Sequence, residues 1–140
     1  MDDVLCEFKR AYYKARANNP EQIYPQSQVD FFRKLNPLDG AIEGFSFLSA
    51  NFETYILTAP SIYNPLCYME KRLWVEDHFG FGMVDKLIIS PRKDIFKGDY
   101  LIDDRIDIHR QSEFSGILIQ FGIHPFNDWS DIVEYFKKKC

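Results

Sequence analysis

Short apolar runs alternating with helical periodicity constrain this chain more than any other feature. Residues 54–58 (Thr-Tyr-Ile-Leu-Thr), 86–90 (Lys-Leu-Ile-Ile-Ser), 99–102 (Asp-Tyr-Leu-Ile) and 116–121 (Gly-Ile-Leu-Ile-Gln-Phe) are brief, nearly unbroken β-rich stretches. Between and around them, residues 4–17, 26–35, 41–51, 67–79 and 129–139 repeat apolar side chains at three- and four-residue steps, the spacing of one helix face. The first of these carries Leu5, Phe8, Ala11, Tyr12 and Ala15 on one stripe and stops at Asn18-Asn19-Pro20. The second presents Val29, Phe31 and Phe32. Strands that are apolar throughout, rather than alternating, are buried on both faces, and helices between them supply the cover. The expected fold class is therefore α/β, a parallel sheet flanked by helices. One element is out of place: the first helix has no strand before it.

The chain has 140 residues, one domain's worth, and 46% of them are apolar, with 13 Phe, 8 Tyr and 2 Trp. That composition builds a core and argues against disorder. No apolar run approaches the ~20 residues of a membrane span. The opening Met1-Asp2-Asp3 is acidic where a signal peptide is basic. The cysteines, Cys6, Cys67 and Cys140, are odd in number and widely spaced, which implies neither a disulfide framework nor a zinc site. A cytoplasmic protein with no membrane partner is the expectation. A net charge of −4 disfavours binding to a nucleic-acid polymer, while local cations still permit a small anionic ligand.

In an open parallel sheet, ligands bind beyond the carboxyl ends of the strands. Thr58 ends one expected strand, Asp103-Asp104 follow another, and Lys93 lies in the Ser90-Pro91-Arg92-Lys93-Asp94 turn after a third. Asp2 and Asp3 stand just ahead of the first helix. Adjacent carboxylates repel unless a cation lies between them, and oxygen-only donors select a hard cation such as Mg²⁺. An ammonium and a hydroxyl would hold phosphoryl oxygens. Taken singly, each has a plainer explanation: Asp2-Asp3 as a helix cap, Thr58 as a strand end, Lys93 as a solvated side chain. Taken together they predict a site for phosphate and Mg²⁺.

Met1-Asp2-Asp3-Val4-Leu5-Cys6-Glu7-Phe8 resembles the end of the first motif of the haloacid-dehalogenase superfamily, in its 5'(3')-deoxyribonucleotidase branch, which reads Asp-Met-Asp-x-Val-Leu-x-x-Phe. Leu57-Thr58-Ala59-Pro60 resembles the second motif, and Tyr68-Met69-Glu70-Lys71 through Trp74-Val75-Glu76 is similar to the helix after it. Ser90-Pro91-Arg92-Lys93-Asp94 resembles the third motif, and Gly98-Asp99-Tyr100-Leu101-Ile102-Asp103-Asp104-Arg105 the fourth. Asn36-Pro37-Leu38-Asp39-Gly40-Ala41 and Trp129-Ser130-Asp131 match as well, so the likeness spans nearly the whole chain.

The resemblance implies a single haloacid-dehalogenase-like domain over residues 1–140, with a small helical cap inserted at about residues 15–53. It implies a Mg²⁺-dependent phosphomonoesterase acting through an aspartyl-phosphate on a small phosphorylated substrate. A pyrimidine deoxynucleotide is the first choice of ester, another small phosphate ester the alternative. Asp2 takes the place of the acid/base, its carbonyl also touching the metal. Asp104 is the implied direct Mg²⁺ ligand with Asp103 supporting it, Thr58 and Lys93 hold phosphoryl oxygens, and Phe8 lines a nucleobase pocket. Ala59 stands where the branch has a phosphate-binding serine.

One departure outweighs the matches. Met1 falls on the Met of Asp-Met-Asp, so the attacking aspartate and the central strand leading to it would precede Met1. The expectation is that the reading frame continues upstream through both; the alternative is a degenerate phosphate- or nucleotide-binding module. Losing a nucleophile costs on the order of 10⁶ in kcat where residues act as a unit, so these 140 residues alone are expected to be nearly inactive. A signalling receiver domain also uses acidic residues, a threonine and a lysine, but needs an aspartate on a strand before the threonine, and residues 54–57 have none. His78, His109 and His124 sit at no ligand spacing, and Phe31 and Phe32 are expected in the core.

Overall fold

A computed structural model describes residues 1–140. Helix α1 (Phe8–Asn18) opens the chain, and α2 (Ala41–Asn51) follows after a long irregular segment. Then come β1 (Ile56–Thr58), α3 (Leu66–Phe79), β2 (Leu87–Ile89), β3 (Tyr100–Asp103), β4 (Ile117–Gln120) and α4 (Trp129–Lys137). All four expected strands and four of the five expected helices form. Both strand pairs are parallel: β1 runs beside β2 with Ile56 opposite Leu87, and β3 beside β4 with Tyr100 opposite Ile117. The fold is mixed α/β with parallel pairing, as the unbroken apolar runs predict. The expected single sheet is instead two two-stranded sheets, because no ladder joins β1 to β3.

Two helical expectations need correction. Residues 4–7 do not begin α1. Asp3 adopts φ +54°, and the amides of Val4, Leu5 and Cys6 all turn back to the Met1 carbonyl. Leu5 and Glu7 then bond the backbone of Leu38 and Asn36, pulling Val4, Leu5 and Cys6 into the core. Residues 26–35 are also not a helix. Only Pro25–Ser27 makes a 3₁₀ turn, and Asp30 at φ +65° interrupts any helical path through this segment. The expected apolar face accordingly splits: Phe32 is buried while Val29 is 72% exposed.

The core joins Phe45 and Leu48 of α2, Trp74 and Val75 of α3, Ile132 and Phe136 of α4, and the Val4–Cys6 hook. Two indoles lock it with polar as well as apolar contacts. Trp74 Nε1 donates to the Leu35 carbonyl at 2.8 Å and Trp129 Nε1 to the Val4 carbonyl at 2.6 Å. A buried indole N–H needs such a partner, and here each tie holds an irregular segment against a helix. No helix is long and apolar enough to cross a membrane.

Candidate active site

The strand ends converge as the parallel pairing requires. Thr58 is the last residue of β1, Asp103 the last of β3 with Asp104 next, and Lys93 lies in the loop after β2. These residues line one cleft of about 240 Å³ together with Asp2, Asp3, Phe8 and Ala59. Every site residue expected from the sequence therefore borders the same space. Phe8 stacks on Phe32 at 5.9 Å between ring centres, so Phe32 is both core and cleft wall.

The cleft is organised by a lysine to which the sequence reading assigned no role. Lys71 of α3 is fully buried, and its ammonium donates to Asp2 Oδ2 at 2.8 Å, Thr58 Oγ1 at 2.7 Å and the Ala59 carbonyl at 2.7 Å. All three ammonium protons are thus assigned. Because Lys71 occupies a lone pair of Thr58 Oγ1, the threonine's own proton is left to donate to a ligand. The signal for Lys71 was present in the sequence: Cys67, Lys71 and Trp74 share one helical stripe, and a lysine between two core residues must be paired.

Burial alone would raise the Asp2 carboxyl, but Lys71, by charge and hydrogen bond, and Lys93 work against it and hold Asp2 below the usual aspartate value. Asp2 is therefore ionised at neutral pH. Asp3 goes the other way: burial raises it, although the Lys9 amide and ammonium work against the rise. Its Oδ1 accepts the Lys9 N–H at 2.9 Å, so Asp3 caps the first turn of α1, the structural role considered for this pair.

Lys93 is buried and its ammonium contacts Asp103 Oδ2 closely. Asp103 Oδ1 accepts the Arg105 amide at 3.0 Å and Gln111 Nε2 at 3.3 Å. Asp103 thus spends both oxygens inside the protein, positioning Lys93. Asp104 differs. Its ion pairs, with Lys9 at 3.1 Å and Arg105 at 3.3 Å, both fall on Oδ2. No three His, Cys, Asp or Glu side chains form a ready-made ion cage. Four carboxylates, those of Asp2, Asp3, Asp103 and Asp104, nonetheless border the cleft, which suits a hard cation sharing its shell with water and phosphate. Asp104 fits as its ligand and Asp103 as support.

His109 also lines the cleft, where the sequence offered no reason to place it. Its carbonyl accepts the Lys93 amide at 3.1 Å, and burial with Lys93 nearby holds the imidazole below its ordinary value. Cys6 is fully buried and burial, with Asp2 beside it, pushes its thiol well up; it is an inert core residue.

Residues 3–133 match the family model described as 5' nucleotidase, deoxy (pyrimidine), cytosolic type C protein. The chain belongs to the 5'(3')-deoxyribonucleotidase family. It is by that kinship a deoxyribonucleotidase-like phosphatase. Among its relatives, a putative 5'(3')-deoxyribonucleotidase of Vibrio phage KVP40 is 37% identical, over 96% of this chain and 80% of the relative. The mitochondrial 5'(3')-deoxyribonucleotidase of Mus musculus is 38% identical over 74% of this chain, which spans 43% of that protein. The 5'(3')-deoxyribonucleotidase of Bacillus subtilis is 29% identical over 85% of the chain and 65% of its own length. The deoxyribonucleotidase match takes in every strand and helix up to Val133 within α4, and every cleft residue except Met1 and Asp2.

Proposed function

We propose that this deoxyribonucleotidase-family chain dephosphorylates a deoxynucleoside monophosphate, with Mg²⁺ as cofactor and an aspartyl-phosphate intermediate. The observation that carries the reading is the convergence of Thr58, Lys93, Asp2 and Asp104 on one cleft at the carboxyl ends of parallel strands, with Lys71 buried behind Asp2 and Thr58. Thr58 donates to one phosphoryl oxygen, and Lys93, held by Asp103, faces another as a point charge. Bound at Asp104 and the Asp2 carbonyl, Mg²⁺ would neutralise charge on the phosphoryl group. Asp2 would protonate the leaving nucleoside oxygen as the aspartyl-phosphate forms and then take a proton from the hydrolytic water; held ionised beside Lys71, it takes up the first of these protons from solvent.

The attacking carboxylate of this reading stands two positions before Asp2, ahead of Met1, at the end of a strand central to the sheet. The whole chain is read as one haloacid-dehalogenase-like domain, with residues 15–53 as its cap; Gln26 and Phe32 bring that segment to the cleft. A pyrimidine base is favoured by the family to which the chain belongs.

Phosphate release from a panel of nucleoside monophosphates, with Mg²⁺ and with chelator, tests this. The 140-residue chain is compared with one extended upstream through its own reading frame. Mg²⁺-dependent turnover by the extended form, with the shorter one slower by on the order of 10⁶, is the expected result. An extended form that folds and binds Mg²⁺ yet releases nothing would instead make the protein a phosphate- or nucleotide-binding module.

A further inference from the structure

The cleft contains one polar group that the phosphate chemistry does not use. Gln26 lines it beside Phe8 and Phe32, and the Gln26 Oε1 is buried without any hydrogen-bond partner. Its backbone is not free to relieve this. The Gln26 carbonyl accepts Asn64 Nδ2 at 2.8 Å, and Asn64, 2% exposed, is itself held through Oδ1 to the Leu66 amide. Asn64 sits in the loop that leads from β1 into α3, so the turn carrying Gln26 is pinned to the segment that begins with Thr58 and Ala59. A buried amide oxygen left unpaired is unfavourable, and an aliphatic side chain of the same size would fill the space without that cost. The last torsion of a glutamine side chain is soft, so the half-buried Gln26 can turn this oxygen out to the cleft that it lines, where a ligand completes it.

We infer that Gln26 reads the base of the nucleotide. The inference rests on the phosphatase reading above and names what the rest of the substrate meets. A carboxamide presents one acceptor and two donors in a plane. A pyrimidine edge offers an N–H beside a carbonyl in uracil and thymine, or an amine beside a ring nitrogen in cytosine, and either pairs with a carboxamide in two parallel hydrogen bonds. Phe8, Phe32 and Ile108 give the same cleft carbon surface for the ring faces. Gln26 therefore discriminates a nucleotide from a phosphate ester that lacks a base, and leaves the phosphate end to Thr58 and Lys93.

Calorimetric titration with Mg²⁺ present tests this on the chain as it stands, because binding needs no nucleophile. The probes are dUMP, deoxyribose 5-phosphate and orthophosphate; the proteins are wild type, Gln26→Leu and Gln26→Met. Both variants should lose about tenfold in affinity for dUMP and keep wild-type affinity for deoxyribose 5-phosphate. They should also melt at or above the wild-type temperature when free, since each removes an unpaired buried oxygen. Unchanged dUMP binding, or an equal loss for both esters, would overturn the inference while leaving the phosphate site intact. A wild type that binds neither deoxyribose 5-phosphate nor orthophosphate would overturn the phosphatase reading, and this one with it.

Discussion

At the scale of single residues, Lys71 and its neighbour Glu70 show opposite solutions to burying charge. Lys71 is fully enclosed and satisfied by Asp2, Thr58 and the Ala59 carbonyl. Replacing it with methionine keeps the volume but unpairs the half-buried Asp2 carboxylate together with Thr58 Oγ1 and the Ala59 carbonyl, which costs about 2 kcal/mol. Urea unfolding of Lys71→Met should show a loss of that order; a loss under about 0.5 kcal/mol would mean the pair contributes nothing net. Glu70 is 1% exposed with neither carboxyl oxygen hydrogen-bonded, and burial raises its proton affinity. A carboxyl whose native value lies above its unfolded value penalises the fold as it ionises. The penalty is absent below the unfolded value, near 4.3, and complete above the raised native one. Glu70→Gln should therefore match wild type at acid pH and exceed it increasingly as pH rises, then hold a constant margin. Paired thermal melts from pH 4 to 8 measure that margin; a margin that shrinks with pH would reverse the assignment. The lysine was legible in the sequence as a charge on an apolar stripe, whereas nothing in the sequence says which of two adjacent charged residues finds partners.

At the scale of elements, the helix that matched its sequence pattern residue for residue, α2, is the one docked by close approach. Gly44 of α2 lies directly under the Trp129 ring of α4, and a Cβ there would enter the indole. Helix propensity alone predicts a gain of about 1 kcal/mol for Gly44→Ala. Overpacking against a fixed indole predicts a loss of about 1–3 kcal/mol and should prevail, because Trp129 is tied through Nε1 to the Val4 carbonyl. A higher melting temperature for Gly44→Ala would show that the indole shifts freely. Periodicity found the helices whose apolar stripes face the core and failed at residues 4–7 and 26–35. There the competing forces are a hook paired to Asn36 and Leu38 and a positive φ at Asp30, neither of which leaves a periodic trace.

At the scale of the molecule, the two parallel pairs share a core but no ladder, and the cleft draws on both. Thr58 and Lys93 belong to the β1–β2 side, Asp103 and Asp104 to β3–β4. A ligand spanning them adds to the Lys93–Asp103 and Lys93–His109 hydrogen bonds that already join the two sides. Orthophosphate with Mg²⁺, at about 100 times its dissociation constant, should add about 2.7 kcal/mol of stability and raise the melting temperature by several degrees. Asp104→Asn should abolish the Mg²⁺-dependent part of that shift while leaving the ligand-free melt close to wild type. An undiminished shift in Asp104→Asn would place the cation elsewhere.

Strand positions, parallel pairing and the residues at the strand ends were determined by the sequence alone. Unbroken apolar runs bury both faces, parallel strands point their carboxyl ends one way, and the motifs at those ends carried the family. Tertiary structure alone decided the rest: the hook at Val4–Cys6, the pairing of Asp103 with Lys93, and the unpaired Gln26 Oε1. Those features depend on which distant group comes within hydrogen-bond reach of a buried atom. Such a partner can stand 38 or 69 residues away, as Asn64 does from Gln26 and Lys71 from Asp2, and local spacing carries no record of it.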